Sequence, residues 1–366
     1  MKARFDLAAV LCTLALLAGC GTPGAPQPPS LELPRPPQDL TAIRKGNRVT
    51  LVWTPPAQTA DGQNVRRSKL GPTLICRGVN SFPMAGCVEA VAHVPPTARP
   101  TLASEGGRPP RMEFISELPA FVQQQHPAGF AAYAVEVQNW LGRSAGLSNQ
   151  LNLPLAPTLP PPADFRAEVT AGGAVLSWTG VPHPHDDPAL GHIYRIYRQA
   201  EGQPSPMVAG EVTLHREPQA VFTDHGFEWE KTYRYWITVV STVTKNDTRV
   251  AEVEGDDSAA ITVFTHDVFP PAVPQGLEAV ASGVGQRPFI DLTWTPNTDA
   301  DLAGYNVYRQ EAGAAEWTKM NLEGVTTPAF QDDKVQPGKT YTYSVTAVDL
   351  RGNESARSAV ANETVR

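Results

Sequence analysis

Three short alternating runs, each ending in tryptophan, recur along the chain: Val49-Thr50-Leu51-Val52-Trp53, Ala174-Val175-Leu176-Ser177-Trp178 and Ile290-Asp291-Leu292-Thr293-Trp294. A period of two puts Leu and Trp on one face and their neighbours on the other, as a half-buried strand requires. Each run follows a Pro-Pro pair and an apolar anchor: Pro36-Pro37 with Leu40, Pro161-Pro162 with Phe165, and Pro270-Pro271 with Leu277. Internal repetition of this kind decides the fold before any single residue does.

Two further strands follow each tryptophan. The first reads Thr73-Leu74-Ile75-Cys76-Arg77, then Tyr194-Arg195-Ile196-Tyr197-Arg198, then Tyr305-Asn306-Val307-Tyr308-Arg309. The second alternates through Tyr133, Val135 and Val137, through Tyr233, Tyr235, Ile237 and Val239, and through Tyr341, Tyr343, Val345 and Ala347. These units resemble fibronectin type III domains, seven-stranded sandwiches of ~100 residues with Trp on the second strand and Tyr near the start of the sixth. The third copy is the nearest match, with Val335-Gln336-Pro337-Gly338-Lys339-Thr340-Tyr341 as the turn into the sixth strand. The resemblance implies that the hydroxyls of Tyr341 and Tyr233 bond back to the chain and lock that turn. In the first copy the alignment puts Ala131 at the corner, so the bond should be missing there.

The expected architecture is therefore all-β: three tandem fibronectin type III-like, immunoglobulin-like β-sandwiches over residues 36–156, 157–269 and 270–366, after a signal peptide (1–19) and a Pro-rich tether (20–35). The first copy is the divergent one. With 36 prolines in 366 residues, twice the ordinary share of ~5%, many strand ends and linkers fit better than long helices. Ala120 to Gln125 reads as one short turn of helix, Val94 to Pro110 as a long loop, and Ser241 to Ser258 as a second long loop joining the sixth and seventh strands of the second copy.

The N-terminus carries Lys2 and Arg4, then an apolar stretch from Leu7 to Leu17, too short to span a ~30 Å hydrocarbon core as a helix. It reads as an export signal. It ends in Leu17-Ala18-Gly19-Cys20, which resembles the bacterial lipobox. The resemblance implies acylation of Cys20, cleavage before it, and attachment to the cell envelope through covalent lipid. Two or three acyl chains anchor stably where one does not. Gly21 in place of Asp favours the outer membrane if the source is Gram-negative. Seven prolines between Gly21 and Pro37 suit an extended tether.

Cys12 leaves with the signal and Cys20 takes lipid, so Cys76 and Cys87 remain for a disulfide in an oxidising compartment. Net charge is −7, and removal of residues 1–19 leaves −8. That balance lacks the basic footprint of a nucleic-acid binder. No nucleophile elbow, zincin helix, phosphate loop or dinucleotide fingerprint is present, and three sandwiches leave no room for a separate enzyme. No cofactor is expected.

Candidate binding residues cluster in the second copy. His183, His185, Asp186 and Asp187 lie between the Trp178 and Tyr194 strands, and Glu252, Glu254, Asp256 and Asp257 lie in the 241–258 segment. Together they suggest an acidic, His-bearing surface between the first two domains, suited to interdomain contact or an external partner. A divalent ion on the His183 loop is the sharper alternative. In the third copy, Asn297 to Tyr305 forms an acidic turn whose Asp residues should bond loop amides. Trp140, Trp229, Trp236 and Trp317 could include sugar-stacking platforms, although Trp236 sits on a strand, where packing on the sheet is the ordinary role. The leading functional expectation is a non-catalytic, envelope-anchored binding or spacer module whose partner is an envelope protein or a polysaccharide. The alternatives are an accessory carbohydrate-binding protein and a metal-dependent hydrolase built on the His183 cluster.

Overall fold

The computed structural model describes residues 31–103, 109–182, 187–215, 217, 219–246 and 248–366. The chain divides into two compact units, Met1–Ala156 and Pro157–Arg366. Among the described residues no helix is long and apolar enough to cross a membrane.

The first unit is one sandwich. Its strands are β1 (Thr41–Lys45), β2 (Arg48–Trp53), β3 (Leu70–Val79), β4 (Glu89–Val94), β5 (Met112–Glu117), β6 (Phe130–Asn139) and β7 (Leu151–Pro154), with helix α1 (Ala120–Gln125) between β5 and β6. Antiparallel β1, β2 and β5 form one layer, and β4-β3-β6-β7 form the other. Leu51, Trp53, Ile75, Tyr133 and Val135 fill the space between them. The short helix falls where the sequence placed it. Its Gln123 is buried and accepts a bond from Arg44 Nη2 at 2.9 Å.

The second unit holds two sandwiches. The earlier one contains β8 (Ala163–Thr170), β9 (Gly173–Thr179), β10 (Leu190–Ala200), β11 (Met207–Thr213), β12 (Gln219–Asp224), β13 (Thr232–Lys245), β14 (Thr248–Asp257) and β15 (Ile261–Phe264). The later one contains β16 (Gln275–Ala281), β17 (Ile290–Thr295), β18 (Leu302–Glu311), β19 (Thr318–Lys319), β20 (Ala329–Asp332), β21 (Thr340–Asp349) and β22 (Ala361–Thr364). Sheets β12-β9-β8 and β16-β17-β20 each face a second layer, built on β11-β10-β13 and on β19-β18-β21-β22 respectively. The three repeating tryptophans lie at the centres of the three cores, with Trp53 and Trp178 each 1% exposed and Trp294 5%. Replacing a side chain of this size in a core by Ala costs about 3–5 kcal/mol.

Two expectations need correction. The segment from Ser241 to Ser258 is a strand ribbon rather than a loop: β13 runs on to Lys245, and β14 pairs back along it from Lys245↔Thr248 to Thr238↔Asp257. The run Val239-Val240-Ser241-Thr242-Val243-Thr244, β-branched at all but Ser241, favours continued pairing, and Asn246 takes the positive φ of 50° that the tight turn needs. The seventh strand is thereby split, with β15 pairing the first residues of β13 and β14 the rest. Residues 33–35, expected to close a Pro-rich tether, are instead tied to the first sandwich. Arg35 N donates to Gln58 O at 2.9 Å and Ala60 N to Leu33 O at 2.8 Å, because the proline-flanked segment still offers carbonyls and amides to an open hairpin edge.

Candidate functional site

Strand geometry sorts the polar groups into those sealed between layers and those on outer faces. On β13, Tyr233, Tyr235, Ile237 and Val239 point inward and are buried, so Arg234 and Trp236 point out. On β10, Tyr194, Ile196 and Arg198 point inward, and Arg195, Tyr197 and Gln199 point out.

The inward set carries a polar device that the sequence reading missed. Arg198 on β10 meets Asp224 at the end of β12 at 2.6 Å, and Tyr235 on β13 donates to the same carboxylate at 2.9 Å. Arg309, Asp332 and Tyr343 repeat it, with separations of 2.8 Å each. Burial first, and then the neighbouring carboxylate, push both tyrosine hydroxyls far up. In the first sandwich Ser116 occupies the acid's place, since Val49↔Ser116 matches Ala174↔Asp224 and Ile290↔Asp332. Arg77 there turns to Glu89 at 3.0 Å, and the buried Tyr133 hydroxyl, with Arg77 and Ser116 near it, makes no well-formed hydrogen bond among the described residues. A signal was available: Arg directly follows the last aromatic of the Tyr-x-x-Tyr strand, and Asp ends the strand that pairs with the Trp strand.

The corner tyrosines behave as the resemblance implied. Glu228 N donates to Tyr233 Oη and Gln336 N to Tyr341 Oη, both at 3.0 Å, and Ala131 takes the equivalent buried position in the first sandwich. A second repeated lock was not foreseen. Ser148, Ser258 and Ser358 each accept the sixth-strand amide of Val135, Ile237 or Val345, at 3.0, 3.1 and 3.0 Å.

Cys20, His183, His185 and Asp186 lie outside the described residues. Asp187 accepts the amide of Ala189 at 2.9 Å, a local turn contact. Glu252 and Glu254 stand on β14, where Arg195 Nη1 reaches both at 2.9 Å and Glu211 flanks it at 2.7 Å. The Arg195 bond, against the opposing effect of burial, holds the Glu252 carboxyl below the usual range. Burial works to lower the Arg195 pKa, but the three carboxylates overcome it and raise the value. Tyr197 donates to Glu254, and burial together with that carboxylate pushes its hydroxyl up to about 12. These acids are thus matched by a cation. Asp256 and Asp257 end the ribbon, both exposed.

In the acidic turn of the third sandwich, Asp299 accepts Ala272 N at 3.1 Å and Asn297 Nδ2 at 3.0 Å. The Asn297 bond, opposed by burial and aided by backbone amides, holds its carboxyl low. Asp267, Asp301 and Asp349 bring one carboxylate oxygen each within 4.8 Å of one another. Ca²⁺ takes six to eight oxygens, and both oxygens of Asp349 already accept bonds from Arg351, Asn353 or its side chain.

Cys76 and Cys87 form the expected disulfide. It ties a hairpin across the outer face of β3 and β6, where Cys76, Met84, Ala132 and Ala134 make a second small core. The first sandwich therefore has a capped outer face. In the third, Arg357 lies over both Tyr308 and Trp317, at 4.7 and 4.9 Å from the ring centroids. In the second, Tyr197 and Trp236 stack with centroids 5.4 Å apart. Two residues further along the strands, at the turn after β10, is a cleft of about 300 Å³ lined by Gln199, Glu201, Arg234 and Thr262, among others. Trp140 packs under Lys69, and Trp229 sits against Phe227 and Phe269.

No family model matches the chain. Exoglucanase B of Cellulomonas fimi is 27% identical over 211 residues, covering 56% of this chain and 17% of the exoglucanase. An amylopullulanase of Thermoanaerobacterium saccharolyticum is 39% identical over 94 residues, covering 25% of this chain and 7% of the enzyme. The chain thus spans less than a fifth of the length of either curated relative. Among solved structures, the FN1–FN3 domains of chicken CNTN1 are 15% identical with a TM-score of 0.24, covering 91% of this chain and 99% of that one. A Fn3-like protein from Clostridium thermocellum is 31% identical with a TM-score of 0.23, covering 27% of this chain and 96% of that one. With its layers, its corner tyrosines and its central tryptophans in place, the chain is a tandem of three fibronectin type III-like β-sandwiches.

Proposed function

We propose that this chain is a non-catalytic, lipid-anchored protein of the bacterial cell envelope that binds or spaces partners through its fibronectin type III-like domains. The observation that carries the non-catalytic reading is the closure of its ionisable clusters. Arg198, Asp224 and Tyr235, then Arg309, Asp332 and Tyr343, are sealed between layers, and Arg195 is matched by three glutamates. None of these clusters places a nucleophile beside a base next to an open cavity, the arrangement that acyl, phosphoryl or glycosyl transfer needs.

The anchoring half of the proposal rests on Leu17-Ala18-Gly19-Cys20 after a short apolar stretch. An acidic chain gains little from an anionic membrane surface, so attachment has to be covalent or through another protein. Expression of the full chain in a Gram-negative host, membrane fractionation and mass spectrometry of the N-terminal peptide test it. Acyl mass on Cys20, and release to the soluble fraction in Cys20→Ala, are expected. An unmodified Cys20 in membrane-free fractions overturns it.

A second reading, an accessory role in polysaccharide capture, is favoured by one observation: the matched relatives are named as exoglucanase and amylopullulanase. Their whole activities belong to much longer chains. Co-sedimentation of the protein with insoluble cellulose or starch, with no sugar released, is the outcome this reading expects. Release of reducing sugar would instead make the chain an enzyme.

A further inference from the structure

We infer that the outer face of β10, β13 and β15 in the second sandwich is a binding site for a neutral hexose chain, centred on Trp236 and Arg234. The inference rests on the polysaccharide reading above and gives it an address.

The three sandwiches provide an internal comparison. The same outer face is covered in the first by the disulfide hairpin, with Cys76, Ala132 and Ala134 fully buried. In the third, Arg357 covers the Tyr308 and Trp317 rings, and Glu354 accepts bonds from Asn306, Tyr308 and Thr346. In the second, Glu254 likewise accepts the Tyr197 hydroxyl, but neither a disulfide hairpin nor an arginine stacked on the rings lies over Trp236 among the described residues. Tyr197 pairs with Trp236, and the next outward pair along the strands is Gln199 with Arg234, continued to Thr262 on β15. Two residues along a strand are ~7 Å, so the indole and the guanidinium lie within reach of one small ligand. The chain leading into β15 beside Trp236 contributes only Ala259 and Ala260, both exposed.

The chemistry of the row selects the ligand. An indole face packs against the apolar CH face of a pyranose ring. Planar guanidinium and carboxylate groups bond pairs of neighbouring hydroxyls, and Arg234 and Glu201 supply one of each at the cleft, while Gln199, whose Nε2 donates to Gln203 O, offers its amide oxygen. Arg234 has no ion-pair partner among the described residues, so its donors are available. Glu201 lines the same cleft, and the whole chain carries −7, so a polyanion is disfavoured and a neutral sugar fits. The cleft of about 300 Å³ is at the small end of ligand pockets.

The test is calorimetric titration of the full chain in detergent micelles with cellohexaose and, separately, maltohexaose. These arms distinguish a β-linked from an α-linked glucan. Binding of at least one, with quenching of tryptophan fluorescence, is expected. Trp236→Ala should remove measurable binding, Arg234→Ala should weaken it about tenfold, and Trp317→Ala should leave it unchanged. Arg234 is exposed, so its variant keeps the fold, and an unaltered melting curve verifies that. Equal affinity in Trp236→Ala, Arg234→Ala and the parent overturns this site while leaving the polysaccharide reading standing. Absence of binding to both oligosaccharides and to insoluble cellulose and starch overturns both.

Discussion

Nη1 of Arg198 lies 2.6 Å from Oδ2 of Asp224, with the two side chains only 8% and 4% exposed. The third sandwich repeats the pair as Arg309 and Asp332, and the first replaces its acid with Ser116. Breaking a buried pair leaves a stranded charge, at a cost of about 3–5 kcal/mol.

Asp332→Ala should therefore lower unfolding stability by about 3 kcal/mol or more, read as a fall in the urea midpoint. The tyrosines give a sharper contrast. Tyr343→Phe should cost about 1–2 kcal/mol, because its hydroxyl donates to Asp332. Tyr133→Phe should cost less than that, because its buried hydroxyl has only Arg77 and Ser116 near it and makes no well-formed bond. Equal losses in the two variants would contradict this account.

Alkali should unfold the second and third sandwiches through their tyrosines. Tyr197 is pushed up to about 12, and Tyr235 and Tyr343 higher still, against ~10 in an unfolded chain. A raised acid pKa means the folded state favours the protonated form. That contribution is complete below pH ~10 and is lost as pH climbs through the folded values. Absorbance at 295 nm and circular dichroism should change together above pH ~11. Full ionisation near pH 10 with the fold intact would refute the assignment.

Reduction of Cys76–Cys87 should loosen the cap on the first sandwich. The bridge closes a loop with a sequence separation of 11, for which loop closure contributes roughly 2–3 kcal/mol. Amide exchange at 70–79 and 130–139 should quicken after dithiothreitol, since Met84, Ala132 and Ala134 then lose their cover. Unchanged exchange there would mean that the hairpin stays seated without its bond.

Arg195→Ala should free the β13–β14 ribbon. Glu211 and Glu254 would then lose their cation, and Glu252 would keep only Arg249, at a local cost of about 1–2 kcal/mol. Exchange should rise in 248–257 and stay slow in Tyr235 and Ile237, which lie in the core. The effect should shrink in high salt, as exposed charge interactions are screened.

Much of the architecture was legible because period-two burial is written directly in residue order. Trp53, Trp178 and Trp294 fixed the inward face of the second strand in each copy, and Tyr233 and Tyr341 fixed the corner bonds. The ribbon of β14 escaped because its acids, Glu252 and Glu254, suggested a solvated loop, whereas Arg195, 57 and 59 positions away, holds them on a strand. The Arg–Asp–Tyr device escaped because its members sit on three different strands, Arg198 and Tyr235 lying 26 and 11 positions from Asp224, and the closing of the two layers brings them together.

The sequence by itself determined which residues face inward, how many sandwiches form and where their corners lock, since alternation along a strand is a local property of the backbone. Only the tertiary structure decided which outer face is capped, which is covered by its own arginine and which stays open beside Trp236. Those outcomes depend on side chains meeting across strands and hairpins, and no spacing along the chain encodes such distances.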